Sequence, residues 1–143
     1  MNPPQRFALK INAIRRHLSR VSAQLPASAE ALSPMSDASD AVILHLWQAV
    51  QGCIDVAVML CADQNWSTPS NYGQAFRELG ARQVLPTELV SQLERAVGFR
   101  NAIAHAYEHL DMHRVWQAAS KGTSDLEAFL KHVSDYLAHA CDP

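Results

Sequence analysis

The sequence predicts an all-helical fold, an antiparallel bundle of about five helices. Only 5 of the 143 residues are glycine, hydrophobic residues make up 48% and charged residues 18%. This composition is typical of a globular domain that buries its own core. Apolar residues recur at spacings of three and four, the period of a buried helix face, and no strand or hairpin pattern is present. We expect residues 1–143 to form a single domain.

The first two helices are marked by apolar stripes and by the residues that flank them. Pro26 stops the first helix, whose stripe consists of Phe7, Ile11, Ile14, Leu18, Val21 and Leu25. Ser36 or Asp37 is expected to cap a second helix that runs to about Asp63. Apolar residues cover more than one face of this helix, which predicts a central position. Asp55 should lie on its narrow polar face or be paired.

A short third helix and a longer fourth helix follow. Ser70 is expected to cap the third helix, over about residues 71–79, and Gly80 to close it. Pro86 suits the first turn of the fourth helix, because proline lacks the backbone N–H that is left without a partner there. The fourth helix runs toward Tyr107.

The end of the sequence predicts a short fifth helix and a final one. Asp111 is expected to cap the fifth helix. Lys121-Gly122-Thr123 should break the chain before the final helix. The final helix carries another apolar stripe, formed by Leu126, Phe129, Leu130, Val133, Tyr136, Leu137 and Ala140.

The charge balance argues against a dedicated nucleic-acid-binding protein. Lys and Arg number 12, Asp and Glu number 14, and the net charge is -2. Stable binding to nucleic acid usually draws on a basic surplus that releases counterions. Any contact with RNA must therefore come from a local patch or from an enzyme that binds modestly.

The cysteines and the apolar runs predict a cytoplasmic protein. Cys53, Cys61 and Cys141 form no CxxC pattern, and the first two fall in an apolar run, so we expect small core residues rather than ligands. Reduced thiols suit the cytoplasm. The start of the chain has two prolines and no apolar signal-peptide core, and the apolar runs are far shorter than a membrane span.

The fourth helix places an arginine on its apolar face. Arg100 continues the stripe of Leu89, Leu93 and Ala96, so it must be paired, line a pocket or form an interface. Asn101 and His105 share an adjacent face, whereas Arg100 and His105 diverge by roughly 140°. They converge only if the guanidinium swings round, the helix is distorted or a second subunit supplies one of them. Spacing alone fits ordinary structural roles equally well.

The pattern Arg-Asn-x-x-x-His-x-Tyr over residues 100–107 resembles the HepT-like branch of the HEPN superfamily. Three flanking segments are also similar to that branch: the central run over residues 41–57, Pro69-x-x-Tyr72-x-x-Ala75-Phe76-x-x-Leu79, and Ala96-Val97-Gly98-Phe99. The similarity covers about residues 7–137. It implies a helical fold that pairs two protomers around the site. The activity it implies is that of a metal-independent endoribonuclease toxin, inhibited by a partner nucleotidyltransferase.

The resemblance also assigns residues. Arg100 and His105 would be the catalytic pair, Asn101 a supporting group that contacts phosphate, and Tyr107 the residue that the partner modifies with AMP. No cofactor or metal is implied. The chemistry agrees, because a histidine with a pKa of about 6.5 can remove a 2′-OH proton at neutral pH. A guanidinium, always charged, can stabilise the phosphate.

Two other interpretations of these residues stay open. His105-Ala106-Tyr107-Glu108-His109 matches HxxEH, an inverted zinc-protease motif, although such enzymes need a further carboxylate ligand and a larger substrate chamber. The second is a non-catalytic helical adaptor that presents substrate to the nucleotidyltransferase, with Arg100 and His105 stabilising an interface.

Overall fold

A computed structural model of the chain describes residues 1–140, so Cys141 lies outside the described residues. The described part contains six α-helices and no strand: α1 (Pro3–Gln24), α2 (Asp37–Asp63), α3 (Tyr72–Ala81), α4 (Thr87–Ala106), α5 (Met112–Gln117) and α6 (Thr123–Ala140). Short 3₁₀ turns occupy Ala29–Ala31 and Tyr107–His109. The predicted all-helical fold is confirmed.

α1 packs antiparallel against α2. Lys10 Nζ lies 2.9 Å from Asp55 Oδ2, whereas further along α1 His17 lies beside His45, nearer the start of α2. Asp55 is therefore paired, one of the two options that the sequence left. The predicted stripe of α1 is buried from Phe7 to Val21, with Ile11, Ile14 and Leu18 between them.

Gly52 sets the close approach of these two helices. A Cβ added at Gly52 would lie 2.5 Å from Cγ1 of Ile14, a distance that real Cβ contacts do not reach. Ile14 is itself buried in the core. A side chain at position 52 would therefore force Ile14 out of its place in the core and disturb the packing of α1 on α2.

α2 occupies the centre of the bundle, as its wide apolar arc predicted. It contacts α1, α3, α4 and α6. The predicted cap is confirmed, because Ser36 Oγ accepts a hydrogen bond from the backbone N–H of Ser39. Cys53 and Cys61 are buried in α2, and burial raises the pKa of both thiols. Both cysteines are therefore neutral packing residues.

α2 is also apolar and long enough to cross a membrane by composition alone. Its most apolar 18-residue window has a mean hydropathy of 1.5, and 56% of that window is buried inside the bundle. Burial of this kind is typical of the core helix of a soluble protein.

α3 begins one residue later than the sequence predicted. Asn71, rather than Ser70, is the N-cap, and its Oδ1 accepts a hydrogen bond from the backbone N–H of Gln74 at 2.9 Å. The hydroxyl of Ser70 instead donates to Oε1 of Gln74 at 2.6 Å. Two polar residues stood side by side, and the sequence did not distinguish which of them would act as the cap.

Gly80 does not close α3, contrary to the prediction. The helix continues to Ala81, and the left-handed turn falls at Gln83, with φ 62°. Packing explains the glycine, because a Cβ at Gly80 would lie 2.8 Å from Cγ2 of Val90 on α4. Pro86 is the N-cap of α4, one position before the predicted first turn.

The predicted break before the last helix is wrong. Asp111 caps α5 as expected, accepting from the backbone N–H of His113. The chain then stays helical through a π-helical turn, Ala118–Gly122, and enters α6 directly. Ala119 is buried within this turn, so tertiary packing holds the backbone helical despite the glycine.

Candidate active site

α4 positions the residues that the sequence singled out. Its buried residues Leu89, Leu93, Val97 and Ile103 fix the helix against the bundle. Arg100 is half-buried, whereas Asn101, His105 and Tyr107 are exposed. The site therefore lies at the surface, along the last two turns of the helix and just beyond it.

Two aromatic rings restrain the guanidinium of Arg100. Its Cζ lies 4.8 Å from the ring centroid of Trp47 on α2 and 5.5 Å from that of Tyr72 at the start of α3. Both distances are within the range of cation–π attraction. Three helices therefore meet at this cation.

Two amide oxygens complete the environment of Arg100. Its Nε donates to Oε1 of Gln51 at 3.0 Å, and its Nη1 donates to Oδ1 of Asn101 at 3.1 Å. A guanidinium carries five N–H donors, so three remain for a ligand. No carboxylate in residues 1–140 forms an ion pair with it. The cation is thus fixed in place while its charge stays un-neutralised.

Gln51 is itself oriented by a hydrogen bond to Asp55, one turn further along α2. Its Nε2 donates to Oδ1 of Asp55 at 3.0 Å, and Asp55 pairs with Lys10. Because the carboxylate accepts from the amide nitrogen, the amide oxygen of Gln51 must face Arg100. The chain of contacts runs from α1 through α2 to α4.

His105 stands apart from this cluster. It is exposed, and no described hydrogen bond joins its imidazole to Arg100 or to any other residue. The side chain of Arg100 turns toward α2 and α3 instead of around α4 toward His105. Of the three routes to convergence, a guanidinium that swings round is thus not the one adopted within this chain.

Tyr107 lies just beyond the helix rather than within it. α4 ends at Ala106, with φ −141° and ψ 37°, so Tyr107 does not continue the helical face that carries Arg100. The hydroxyl of Tyr107 donates to Oδ1 of Asp40 at 2.8 Å. This hydrogen bond, together with burial and the negative charge of Asp40, raises the pKa of Tyr107.

The ring of Tyr107 nevertheless reaches the neighbourhood of Arg100. It lines a groove of about 520 Å³ together with Trp47, the ring against which the guanidinium stacks. Ile43, Leu44 and Ile103 form the apolar floor of this groove. Trp47 is therefore common to the groove of Tyr107 and to the cation–π contact of Arg100.

The HxxEH interpretation loses its helical basis. His105 lies in α4, but His109 lies in the 3₁₀ turn that follows, so the two do not share an α-helical face. Within residues 1–140, His, Cys, Asp and Glu side chains form no group of three or more that could hold a metal ion.

The α2 side chains that contact Arg100, which are Trp47 and Gln51, had no assigned role from sequence. Asp40, Leu44, Trp47, Gln51 and Asp55 recur along α2 at spacings of four, three, four and four. Such a stripe faces one direction from a helix. Polar and aromatic residues on one stripe of an otherwise apolar helix are a signal that could have marked this stripe as a functional surface, although not as the partner of Arg100.

Comparison with known proteins gives consistent matches. The model of the family described as ribonuclease HepT-like matches residues 13–133. An mRNA nuclease HepT from Shewanella oneidensis is 26% identical over 121 residues, which cover 85% of this chain and 90% of that protein. A tRNA nuclease HepT from Aphanizomenon flos-aquae is 33% identical over 64 residues, 45% of this chain and 44% of that protein.

Solved structures share the fold. A tri-AMPylated HEPN toxin from Shewanella oneidensis, in complex with MNT antitoxin, superposes with a TM-score of 0.84 at 24% identity, covering 94% of this chain and 99% of that one. A cytosolic Bacillus subtilis protein of unknown function superposes with a TM-score of 0.84 at 12% identity, covering 99% and 94%. Since the family model matches most of the chain, this protein belongs to the HepT-like ribonuclease family.

Proposed function

We propose that this protein is a metal-independent endoribonuclease toxin in which Arg100 and His105 cleave RNA and Asn101 supports the phosphate site. The observation that carries the proposal is the guanidinium of Arg100, held by two rings and two amides with no carboxylate neutralising it in the described chain. Such a preorganised cation suits a phosphate whose charge grows in the transition state. The names of the relatives, mRNA and tRNA nucleases, agree with this chemistry.

The reaction uses the ribose as its own nucleophile. His105 removes the proton of a 2′-OH, the 2′ oxygen attacks the adjacent phosphorus, and the bond from phosphorus to the 5′ oxygen breaks. The products are a 2′,3′-cyclic phosphate and a 5′-OH, which takes up a proton. Arg100 stabilises the negative charge on the phosphate oxygens throughout.

We further propose a homodimer that brings His105 and Arg100 to one substrate. Arg100 points toward α2 and α3, while His105 is exposed with no described hydrogen-bond partner. A strand held between two copies can contact the arginine of one copy and the histidine of the other. Mixing Arg100→Ala and His105→Ala proteins tests this, because a site shared across copies regains activity in the mixture. A fully active monomer in light scattering would contradict the dimer.

Tyr107 is proposed as the residue through which a partner nucleotidyltransferase silences the enzyme in the cytoplasm. Its hydroxyl lies at a groove that shares Trp47 with Arg100. An AMP group there would place a phosphate beside the guanidinium and fill the groove. A solved relative with this fold is an AMPylated toxin in complex with its MNT antitoxin.

The decisive experiment is RNA cleavage by the purified protein in excess chelator. Arg100→Ala and His105→Ala should each abolish cleavage and toxicity with an unchanged far-UV CD spectrum. Arg95→Ala and His109→Ala are matched controls, since both lie nearby but outside the site. Activity that disappears in chelator and returns with zinc would favour the HxxEH interpretation. Growth arrest unaffected by His105→Ala would favour the adaptor.

A further inference from the structure

We propose that the groove between the start of α3 and α4 is a subsite for one unpaired RNA base, an inference that rests on the proposed ribonuclease function. The groove has a volume of about 490 Å³ and is lined by residues that include Asn71, Tyr72, Gly73, Gly98 and Asn101. That volume falls within the roughly 300–1,000 Å³ of small-ligand sites. It adjoins Arg100, because Tyr72 and Asn101 both line the groove and both contact the guanidinium.

Tyr72 supplies a stacking surface. Tyr72 is 41% exposed, which is unusual for a large aromatic residue, and its ring contacts the guanidinium of Arg100. Every base has a π face that stacks on such a ring, which is how single-stranded nucleic acid is commonly held. A base on Tyr72 would lie one nucleotide from a phosphate on Arg100.

The charge of the groove favours a neutral base over a phosphate. Arg77 is the one cation among the described residues that line the groove, and it is paired with Glu94 at 2.7 Å. Arg100 lies beside the groove. The remaining polar groups at the groove include the side-chain amides of Asn71 and Asn101. Amides recognise the donors and acceptors on base edges, whereas un-neutralised cations bind phosphates.

Gly98 provides an independent argument. It is exposed within α4, where glycine is among the least favourable residues. Apart from its chain neighbours and the backbone of its own helix, a Cβ added there would meet no described atom within 4 Å, so packing within residues 1–140 does not require a glycine. A ligand that passes close to the backbone gives a reason for it. Unlike Gly52, this position is open to substitution without disturbing the fold.

The test is cleavage and binding of a short oligoribonucleotide, with an abasic residue placed in turn on either side of the cut. Wild type should show a higher KM for one abasic substrate, with little change in kcat. Tyr72→Ala should raise KM for the intact substrate about 5- to 150-fold, the range expected for loss of one base–aromatic stack. It should then no longer distinguish the abasic substrate, while Tyr72→Phe should behave as wild type.

Gly98→Phe changes the groove without removing a contact of Arg100, because Gly98 has no side chain and a Cβ there would have no side chain within 4 Å beyond its chain neighbours. It should fill the groove and raise KM with an unchanged melting temperature, and Gly98→Ala, which adds only one methyl group beside the backbone, should raise KM by a smaller factor. Unchanged KM in Gly98→Phe, or an equal loss on intact and abasic substrates in Tyr72→Ala, would overturn the subsite. A change of oligomeric state in Gly98→Phe would assign the groove to a second copy instead. No cleavage by wild type refutes the ribonuclease function itself, and anisotropy with a 2′-O-methyl analogue then reports whether the groove still binds a base.

Discussion

Gln51→Leu should lower the rate of RNA cleavage by weakening the hold on Arg100. Gln51 is the one α2 side chain that accepts a described hydrogen bond from the guanidinium, at 3.0 Å from Nε. Leucine has a similar volume and removes the amide without opening a cavity. Asp55 keeps its ion pair with Lys10, so the change leaves no buried carboxylate without a partner.

The size of the effect follows from the type of contact. A hydrogen bond to a charged group contributes about 1.5–3 kcal/mol, which corresponds to roughly 10- to 150-fold in rate. Trp47 and Tyr72 still restrain the guanidinium after the substitution, since each ring lies within 5.5 Å of Cζ. We therefore expect a loss near the lower limit, about tenfold, with the same melting temperature.

The assay is single-turnover cleavage at saturating enzyme, which isolates the chemical step from binding. Gln48→Leu is the matched control, because Gln48 lies on the same helix, is half-buried and makes no described side-chain hydrogen bond. A rate for Gln51→Leu equal to wild type would refute the reasoning. So would an equal loss in Gln48→Leu, because the effect would then belong to α2 as a whole.

Three further outcomes are expected. Tyr107→Phe should retain most of the toxicity and resist silencing by the partner; after co-expression with wild type, mass spectrometry should find the AMP adduct on Tyr107, and an adduct elsewhere would contradict this. In Asp40→Asn the phenol of Tyr107 should titrate at lower pH in ultraviolet difference spectra, because the hydrogen bond to Asp40 raises its pKa. Burial, then the charges of His45 and Arg16, lower the pKa of His17, so protonation disfavours the folded state. The melting temperature should therefore fall as pH drops below about 6.5, and it should fall less steeply in His17→Gln. An identical slope in both proteins would argue against a role for His17 and His45.

Much of the bundle was predictable because burial follows helical period. The stripe of α1 and the wide arc of α2 each dictated which face turned inward, and both predictions are confirmed. The helix ends that were predicted at Gly80 and Gly122 were wrong for the same reason. Glycine tolerates a helix end but does not require one, and neighbouring packing kept the backbone helical at both positions.

The site was only half visible from sequence. Local spacing placed Arg100, Asn101 and His105 on their faces of α4, because helix geometry relates residues a few positions apart, whereas their proposed roles came from the family resemblance. The partner Gln51 lies 49 residues from Arg100 in sequence, and local periodicity carries no information about such pairs. The position of Tyr107 could not be predicted from local periodicity either, since helix ends depend on one or two backbone angles.

The end of α4 at Ala106 separates a rigid part of the molecule from an adjustable part. Arg100 belongs to a rigid helix whose orientation is set by the core, whereas Tyr107 starts a 3₁₀ turn that leads to the cap at Asp111. Substitutions or insertions in residues 107–111 can therefore redirect the tyrosine while the arginine stays where α2 and α3 hold it. If Arg100 and Tyr107 have the roles proposed for them, a lineage of such proteins can change how a partner recognises the tyrosine without rebuilding the site of the arginine.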